Sequence, residues 1–513
     1  MNARRPSRSG FGSLLAAAVV AAGLFALPPA IAQQDGRPAT PRELHERRQE
    51  AQEIQRRAME AFTERDFERA ERLFRRQAEL DTAGFVPRYN LAVTLASLGR
   101  PEEGAEMLAE AIGRGFLDRR QLEGDPSLGP IRDTELYAEI VENWDRIIEA
   151  HADGVEQHLR RKYRPGYTVE RDDELRIIIA SAFHPIATEQ AVEEMRRLAE
   201  WGVREIFKDL AEDANDPFVA VVLPTERDFA VWAMERYGPA AVAGDFQRIG
   251  GAYSNDEKKL VAMDIGSTFR HEFFHVLHWR SNDRLGQRHP VWIQEGLCSL
   301  VEDIDEGPGG TITPTPSWRT NILKRRLSAA GLPTIAELAT MPRQHFTGRA
   351  PLANYAHARA IFLYLHERGE LGAFYADYID RYDEDRSGVA SIERVLDADI
   401  EQIDRDFKSW LRSLPDVAEV RDGRIRGLQA SIGVEVDPGE GEGPVVGRSV
   451  SRQARDAGLR PRDVIVSIDG SPTRDLSEFV RRLGDYHPGQ RITLGVRRRN
   501  EMMEMPVVLS PAR

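Results

Sequence analysis

With a single cysteine, Cys298, this 513-residue chain can form no internal disulfide, so packing alone must hold it together. It also lacks a basic excess. Its 70 Lys and Arg stand against 83 Asp and Glu, a formal charge of −13, and no cationic tract is present, which argues against nucleic acid as a partner. Long apolar runs are missing as well, save one over residues 11–27. Arg4, Arg5 and Arg8 precede that run, and Pro28, Pro29 and Ala30-Ile-Ala32 follow it. This is the pattern of a cleavable secretory signal over residues 1–32, with a single membrane anchor as the alternative. No cysteine at the junction offers a lipid attachment point. The expectation is an acidic product of about 480 residues, periplasmic or secreted, with no stable membrane span after signal cleavage.

What the chain does carry is a tight set of metal-binding and proton-carrying side chains. In Gly266-Ser-Thr-Phe-Arg-His271-Glu272-Phe-Phe-His275-Val-Leu-His278-Trp, His271 and His275 stand four residues apart. On a helix their rings leave one face and can converge on one ion. Glu272 is one position round, where its carboxylate can reach a water on that ion without displacing it. The flanks predict a helix: Ser267 or Thr268 can cap its start, Phe269, Phe273, Val276 and Leu277 can bury its back, and no Gly or Pro intervenes before Asp283. His278 lies a full turn too far along to share the ion and reads as a packing or pocket-edge side chain. The plain alternative for the whole group is a pair of satisfied histidines beside a solvated glutamate. Two histidines are also one ligand short of a zinc site that keeps an open position.

Glu295 stands twenty residues beyond His275, in the apolar segment Trp292-Ile-Gln-Glu295-Gly-Leu-Cys-Ser-Leu. On these residues the sequence resembles the gluzincin metallopeptidases, and more closely the peptidase-MA-like bacterial proteins with a Trp-x-x-Glu-Gly segment. The resemblance implies that Glu295, on the next helix, joins His271 and His275 as ligand to Zn2+, with Glu272 as general base. It implies that the strand at 259–265 is the sheet edge lining the cleft, with residues 250–253 as a mobile rim. It also places Tyr355 near the metal at the start of an amphipathic helix, with His357 as its neighbour, either of them able to donate to an oxyanion. A plain interface aromatic is the alternative for Tyr355. Thermolysin-like members carry an aspartate four residues after the ligand glutamate to orient a ligand histidine. This chain has Ser299 there, and Glu302 or Asp303 are the candidates to substitute.

The remaining organisation follows from repeats and composition. Residues 33–57 form a polar lead-in. Asp66-Phe-Glu-Arg-Ala70-Glu71 and Phe74 are answered thirty-four residues later by Arg100-Pro-Glu-Glu-Gly-Ala105 and Leu108, the tetratricopeptide period. An all-α tetratricopeptide-like region is expected over 58–163, its last part a helix at 137–163. An α+β gluzincin-like catalytic domain is expected over 164–415, with strands first, then helices, and a Gly/Pro/Thr loop at 307–316. After Pro415, residues 424–510 alternate short strands and Gly turns, and Gly458-Leu459 through Asp463-Val-Ile465 to Ile468-Asp-Gly470 is similar to a PDZ domain, mainly β. The PDZ resemblance implies that Ser431, Ile432, Gly433 and Val434 form the loop that takes a C-terminal carboxylate. PDZ domains usually have Gly where Arg462 stands.

Together these readings predict zinc-dependent hydrolysis of peptide bonds in exported or periplasmic protein substrates, with a C-terminal peptide as PDZ ligand. Two alternatives stay open: a metal-binding pseudoenzyme acting as a tetratricopeptide/PDZ scaffold, and a PDZ domain that docks on its own protease and binds nothing. A non-peptide amide or a cell-wall peptide as substrate is equally compatible with the zinc constellation.

Overall fold

A computed structural model of the chain describes residues 40–512 except 164–165, 209, 211–216, 239–249, 255–257, 308–309, 330 and 440. The expected signal segment and the first residues of the lead-in lie outside the described residues. Among the described residues no helix is long and apolar enough to cross a membrane.

The first helix runs Pro41–Thr63, started by a Thr40/Glu43 capping box, so the boundary expected at 57 falls within one helix. Helices Phe67–Leu80, Val86–Ser97 and Pro101–Gly113 complete two helical hairpins. Ala58, Ala61, Ala70 and Phe74 pack with Leu91 and Leu95 between the hairpins, while Ala92, Ala105 and Leu108 continue into the following helices. The single helix expected at 137–163 is broken at Asn143 into Glu135–Glu142 and Trp144–Lys162.

The second of these pieces belongs to the next layer. Strands β1 (Thr168–Asp172), β2 (Ile177–Ser181), β3 (Phe218–Val222), β4 (Gly251–Ser254) and β5 (Lys259–Ala262) form a mixed sheet in the order β1-β2-β3-β5-β4. β2, β3 and β5 are parallel, and the outer strands are antiparallel to their neighbours. Side chains alternate between its faces. Ile178 and Ala180 meet Ala152 and Leu159 of the helix Trp144–Lys162. Ile177, Ile179, Ala220, Val222, Leu260 and Ala262 face the large core with helix Pro185–Glu205 and the helices that follow. The sheet edge is β4, formed by residues 251–254 where a rim was expected, whereas residues 259–262, expected as the edge, form the interior strand β5 paired with β3 and β4.

The first metal helix, Ser267–Leu285, follows β5 and ends at Gly286 in the left-handed region, φ 65°. Its start is capped by neither Ser267 nor Thr268: Asp264 Oδ1 accepts from the N–H groups of Gly266 and Thr268. The second metal helix, Val291–Leu300, is buried almost throughout. It packs on the central helix, Pro351–Glu367, where Trp292 stacks on Phe362 at 5.3 Å between centroids. Any Cβ at Gly296 would come within 2.5 Å of the Phe362 ring, so only glycine permits that approach. The central helix is buried on all sides and not amphipathic, since residues from Asn354 to Leu365 lie inside, Tyr355 alone remaining half-buried. The loop expected at 307–316 contains a hairpin, β6 (Ile304–Gly307) with β7 (Thr311–Pro314).

A small hairpin, β8 (Glu419–Arg421) and β9 (Arg424–Arg426), leads into the C-terminal β domain. There β10 (Ala430–Ser431) pairs with β17 (Ser510–Pro511). β11 (Val434–Asp437), β12 (Val445–Val450), β13 (Val464–Ile468), β15 (Arg491–Arg498) and β16 (Glu501–Val508) form a sheet in that order, with β14 (Ser471–Pro472) on β13. Helix Leu476–Leu483 puts Phe479, Val480 and Leu483 into this domain's core. Arg462 adopts φ 73° in an exposed turn, the conformation glycine takes at least cost, and a residue with a Cβ is strained there by about 1–2 kcal/mol.

The break expected at Pro415 is not a separation in space. Glu478, Arg481 and Arg482 project from the other side of helix Leu476–Leu483 and are buried against the catalytic region. Arg474 pairs with Glu194, and Arg270 on the first metal helix reaches Glu194 at 2.6 Å and Glu478 at 3.6 Å. Ser267 Oγ donates to Asp475 Oδ2 at 3.0 Å, and Arg481 donates to Asp305 at 2.8 Å.

Candidate active site

The helical spacing brings His271, His275 and Glu295 together as the sequence suggests. Both imidazole Nε2 atoms lie 3.5 Å from Glu295 Oε2, and donor atoms of all three residues fall within 4.8 Å of one another. Ligands on a tetrahedral zinc with bonds of about 2.0–2.1 Å sit about 3.3–3.4 Å apart, so the donor set fits the ion in type and spacing.

The other ring nitrogen of His271 is engaged as well. Its Nδ1 lies 2.9 Å from Glu302 Oε1, leaving Nε2 for the metal. Arg319 donates to both oxygens of Glu302, at 2.5 and 2.8 Å. Ser299, by contrast, is fully buried and its hydroxyl has no hydrogen-bond partner among the described residues. The orienting carboxylate therefore comes from Glu302, and Asp303 turns instead toward Arg359 and Arg481.

Charge in the site calls for a cation. Glu272, Glu295 and Glu302 are all under a tenth exposed, and Arg319 is the guanidinium paired with one of them. Burial opposes charging His271, but hydrogen bonds with Glu295 and Glu302 outweigh it and carry the imidazole up to about 10. Glu302 stays at about 2, the guanidinium of Arg319 and the bond to His271 overcoming burial. Glu295 is likewise lowered against its burial by the two histidines. A divalent ion would take the place of the proton these carboxylates otherwise hold on His271.

Glu272 points into the same cleft. Burial raises its pKa, partly offset by the two histidines. Strand β4 presses against it: a Cβ on Gly251 would stand 2.6 Å from Glu272 Cγ. Tyr253, two residues along β4, stacks over His275 at 6.3 Å. The cleft has a volume of about 1100 Å³ and is lined by His271, Glu272, His275, Glu295, Glu302, Arg319 and Tyr355, by Gly250 to Tyr253, and by Pro438, Gly439, Leu476 and Ser477 of the C-terminal domain.

Two sequence-based assignments diverge. Tyr355 lines the cleft, and burial with the nearby charges of Glu295 and Glu272 keeps its phenol well above its usual pKa. His357 does not line it. It is 1% exposed, stacks on Phe407 at 5.5 Å, and neither ring nitrogen has a hydrogen-bond partner among the described residues. Burial lowers its pKa to about 3, so it is a neutral core side chain. The reason is periodic: two residues along a helix turn a side chain through about 200°. His278 is likewise internal, with Nε2 2.9 Å from His289 Nδ1. Ser431, Ile432, Gly433 and Val434 form the turn into β11, where Gly433 has φ 78° and donates its N–H to Ser431 Oγ.

Arg319 and Asp264 were given no role from sequence, and Gly251 entered only as part of the expected rim. Arg270 offered a signal: a charge beside the first ligand, in a helix otherwise apolar on that side, needs a buried partner.

The cluster of His271, His275 and Glu295, with Glu272 between the histidines, matches the catalytic motif of gluzincin zinc peptidases and is consistent with enzymatic activity. Residues 430–509 match the family model of the PDZ domain. A curated relative, the magnetosome formation protease MamE of Paramagnetospirillum magneticum, is 36% identical over 86 residues, which are 17% of this chain and 11% of that protein. Among solved structures, a variant of the HtrA-type protease AlgW with a decapeptide is 28% identical over 18% of this chain and 31% of that one, TM-score 0.15. An aminopeptidase N family protein from Idiomarina loihiensis is 15% identical over 67% of each chain, TM-score 0.26. At those scores neither likeness bears on the architecture of the whole chain.

Proposed function

We propose that this chain is a zinc-dependent peptidase acting on exported, periplasmic or secreted, protein substrates, with its PDZ domain receiving C-terminal peptides. The observation that carries the reading is the 3.5 Å approach of both histidine Nε2 atoms to Glu295 Oε2, with Glu272 buried beside them. Bound zinc would polarise the scissile carbonyl and acidify water. Glu272, its basicity raised by burial, takes the proton of the attacking water and returns it to the leaving amine. The Tyr355 hydroxyl, held protonated, donates to the oxygen that becomes negative. Gly250 and the β4 backbone at Gly251 and Ala252 line the cleft and can bond an extended substrate.

The N-terminal hairpins, whose second helices begin at Phe67 and Pro101, 34 residues apart, are read as tetratricopeptide-like. Their role is packing, since the first helix lies on the catalytic region's helix Glu226–Tyr237. A scaffold that only holds metal has no use for a glutamate 6% exposed and set against Gly251.

The test is Glu272→Gln on the full chain. About one zinc per chain should remain while hydrolysis of a proteome-derived peptide library falls by orders of magnitude. A wild-type chain that holds zinc and cleaves nothing would instead establish the scaffold.

A further inference from the structure

We propose that His278 and His289, buried histidines that do not line the cleft, are positioning residues: the hydrogen bond between them spaces the two metal helices and so sets the ligand geometry around zinc. This rests on the zinc site described above and names what holds its ligands apart.

The pair closes a ring in the chain. His278 stands almost one turn beyond His275 on the first metal helix, and His289 immediately precedes Pro290, which opens the second. Their nearer nitrogens, His278 Nε2 and His289 Nδ1, are 2.9 Å apart. On the other side the Gln294 amide donates to the backbone carbonyl of His289, and Gln294 adjoins Glu295. Between the helices, residues 286–290 carry neither helix nor strand, so their backbone alone does not fix the distance. The two imidazoles span that gap directly.

The direction of each bond can be read. Gln287 Nε2 donates to the carbonyl of Ile379 at 2.8 Å, which turns Gln287 Oε1 toward His289 Nε2, 2.9 Å away. That oxygen only accepts, so His289 Nε2 carries the proton and Nδ1 offers a lone pair. His278 Nε2 is then the donor. Burial keeps both rings neutral, His289 at about 3 and His278 well below its usual value, and both are walled by aromatic rings, Phe207 stacking on His278 and Tyr378 meeting His289 edge-on. The donors therefore run one way, from the first metal helix through the turn to helix Leu371–Asp380.

The metal geometry leaves little slack. Both ligand Nε2 atoms stand 3.5 Å from Glu295 Oε2, and such a site must be held to within about 0.5 Å. A helix carries its ligand as a rod, so a shift at Pro290 is passed on to Glu295. A pair that served packing alone would instead be interchangeable with apolar side chains.

The experiment compares two substitutions at one position of the full chain. His289→Asn puts an amide oxygen near the place of Nδ1 and keeps the acceptor for His278. His289→Gln puts an amide nitrogen near the place of Nε2, keeps the bond to Gln287 and withdraws that acceptor. Zinc affinity is read by chelator competition and ligand geometry by the visible absorption of the cobalt(II)-loaded chain, while urea unfolding of the metal-free chain records stability separately. His289→Asn should match wild type in affinity and cobalt bands, whereas His289→Gln should lose roughly tenfold in affinity with altered bands. The double variant His278→Met/His289→Leu, which leaves no polar atom unpaired between the two sites, should regain stability without regaining affinity, and it decides the matter if His289→Gln does not fold. Wild-type affinity and cobalt bands in His289→Gln, or in the double variant, overturn the positioning role and leave the zinc site standing. No metal bound by the wild-type chain overturns both.

Discussion

His271 Nδ1 lies 2.9 Å from Glu302 Oε1, and Glu302 is in turn gripped by both ends of the Arg319 guanidinium. The carboxylate sets the histidine's tautomer and its ring angle, so metal affinity depends on a residue that never touches the ion. Glu302→Gln should therefore weaken zinc binding by about 10–100-fold while leaving the stoichiometry at saturation unchanged. Competition against a chelator of known affinity measures this. Unaltered affinity would remove Glu302 from the site.

The two aromatic candidates on the central helix should separate cleanly. Tyr355→Phe removes the donor proposed for the oxyanion and should lower kcat roughly 10²-fold with little change in KM. His357→Leu replaces a neutral imidazole whose two nitrogens are both unpartnered, so activity should hold and stability should stay level or rise. Steady-state kinetics on one peptide with both variants decides it, and equal losses would contradict the placement of His357 in the core.

The buried charges at the domain contact give a stability prediction. Glu194 is 1% exposed and faces Arg270 and Arg474. Glu194→Ala would leave two guanidinium groups in a dry contact short of a counter-charge and should cost about 3–5 kcal/mol. Urea unfolding followed by tryptophan fluorescence reads the loss. A change below about 0.5 kcal/mol would mean that the pair is solvated, as surface ion pairs are.

The metal site was legible in sequence because its geometry is local. The four-residue step from His271 to His275 fixes two rings on one helical face, while the family resemblance named Glu295 on the next helix. Tyr355 came into view only through a family resemblance, and His357 was carried along by adjacency although its helical phase turns it away. The strand order was not legible, since residues 250–253 read as a rim and only 259–265 as a strand before the metal helix, and only pairing shows that β4 is a strand and that β5 inserts between β3 and β4. Long-range partners left the faintest trace. Nothing near Arg474 announces Glu194, 280 residues away, so docking of the PDZ domain on the catalytic region stood in the sequence only as an alternative, with no residue to carry it. The hydroxyl at Ser299 did signal a departure, and Glu302 and Asp303 were the right region to search, because one further turn of backbone supplies the missing carboxylate.

The same contact should respond to pH through Asp475. This half-buried carboxyl has its pKa raised from 3.8 to about 7, first by burial and then by the negative charges of Glu478 and Asp264, with Arg270 opposing. The folded chain therefore holds a proton that the unfolded chain has released between about pH 4 and 7. Wherever the folded state binds more protons, stability falls as pH rises, so the Asp475 contribution is lost progressively from pH 4 to pH 7. Glu478 acts in the opposite sense. Arg270, Arg482 and Arg474 overcome its burial and lower it to about 2, so its contribution is present above about pH 4.5 and disappears only in acid. Asp475→Asn mimics the protonated form: its Oδ1 can still accept the N–H of Glu478, and its amide can donate to Ser267 Oγ. The variant should melt close to wild type at about pH 4 and progressively above it up to about pH 7, with no further divergence from there to pH 8, when the midpoints are compared by circular dichroism at each pH. A constant difference across that range would show that Asp475 ionises in the folded chain as it does in the unfolded one.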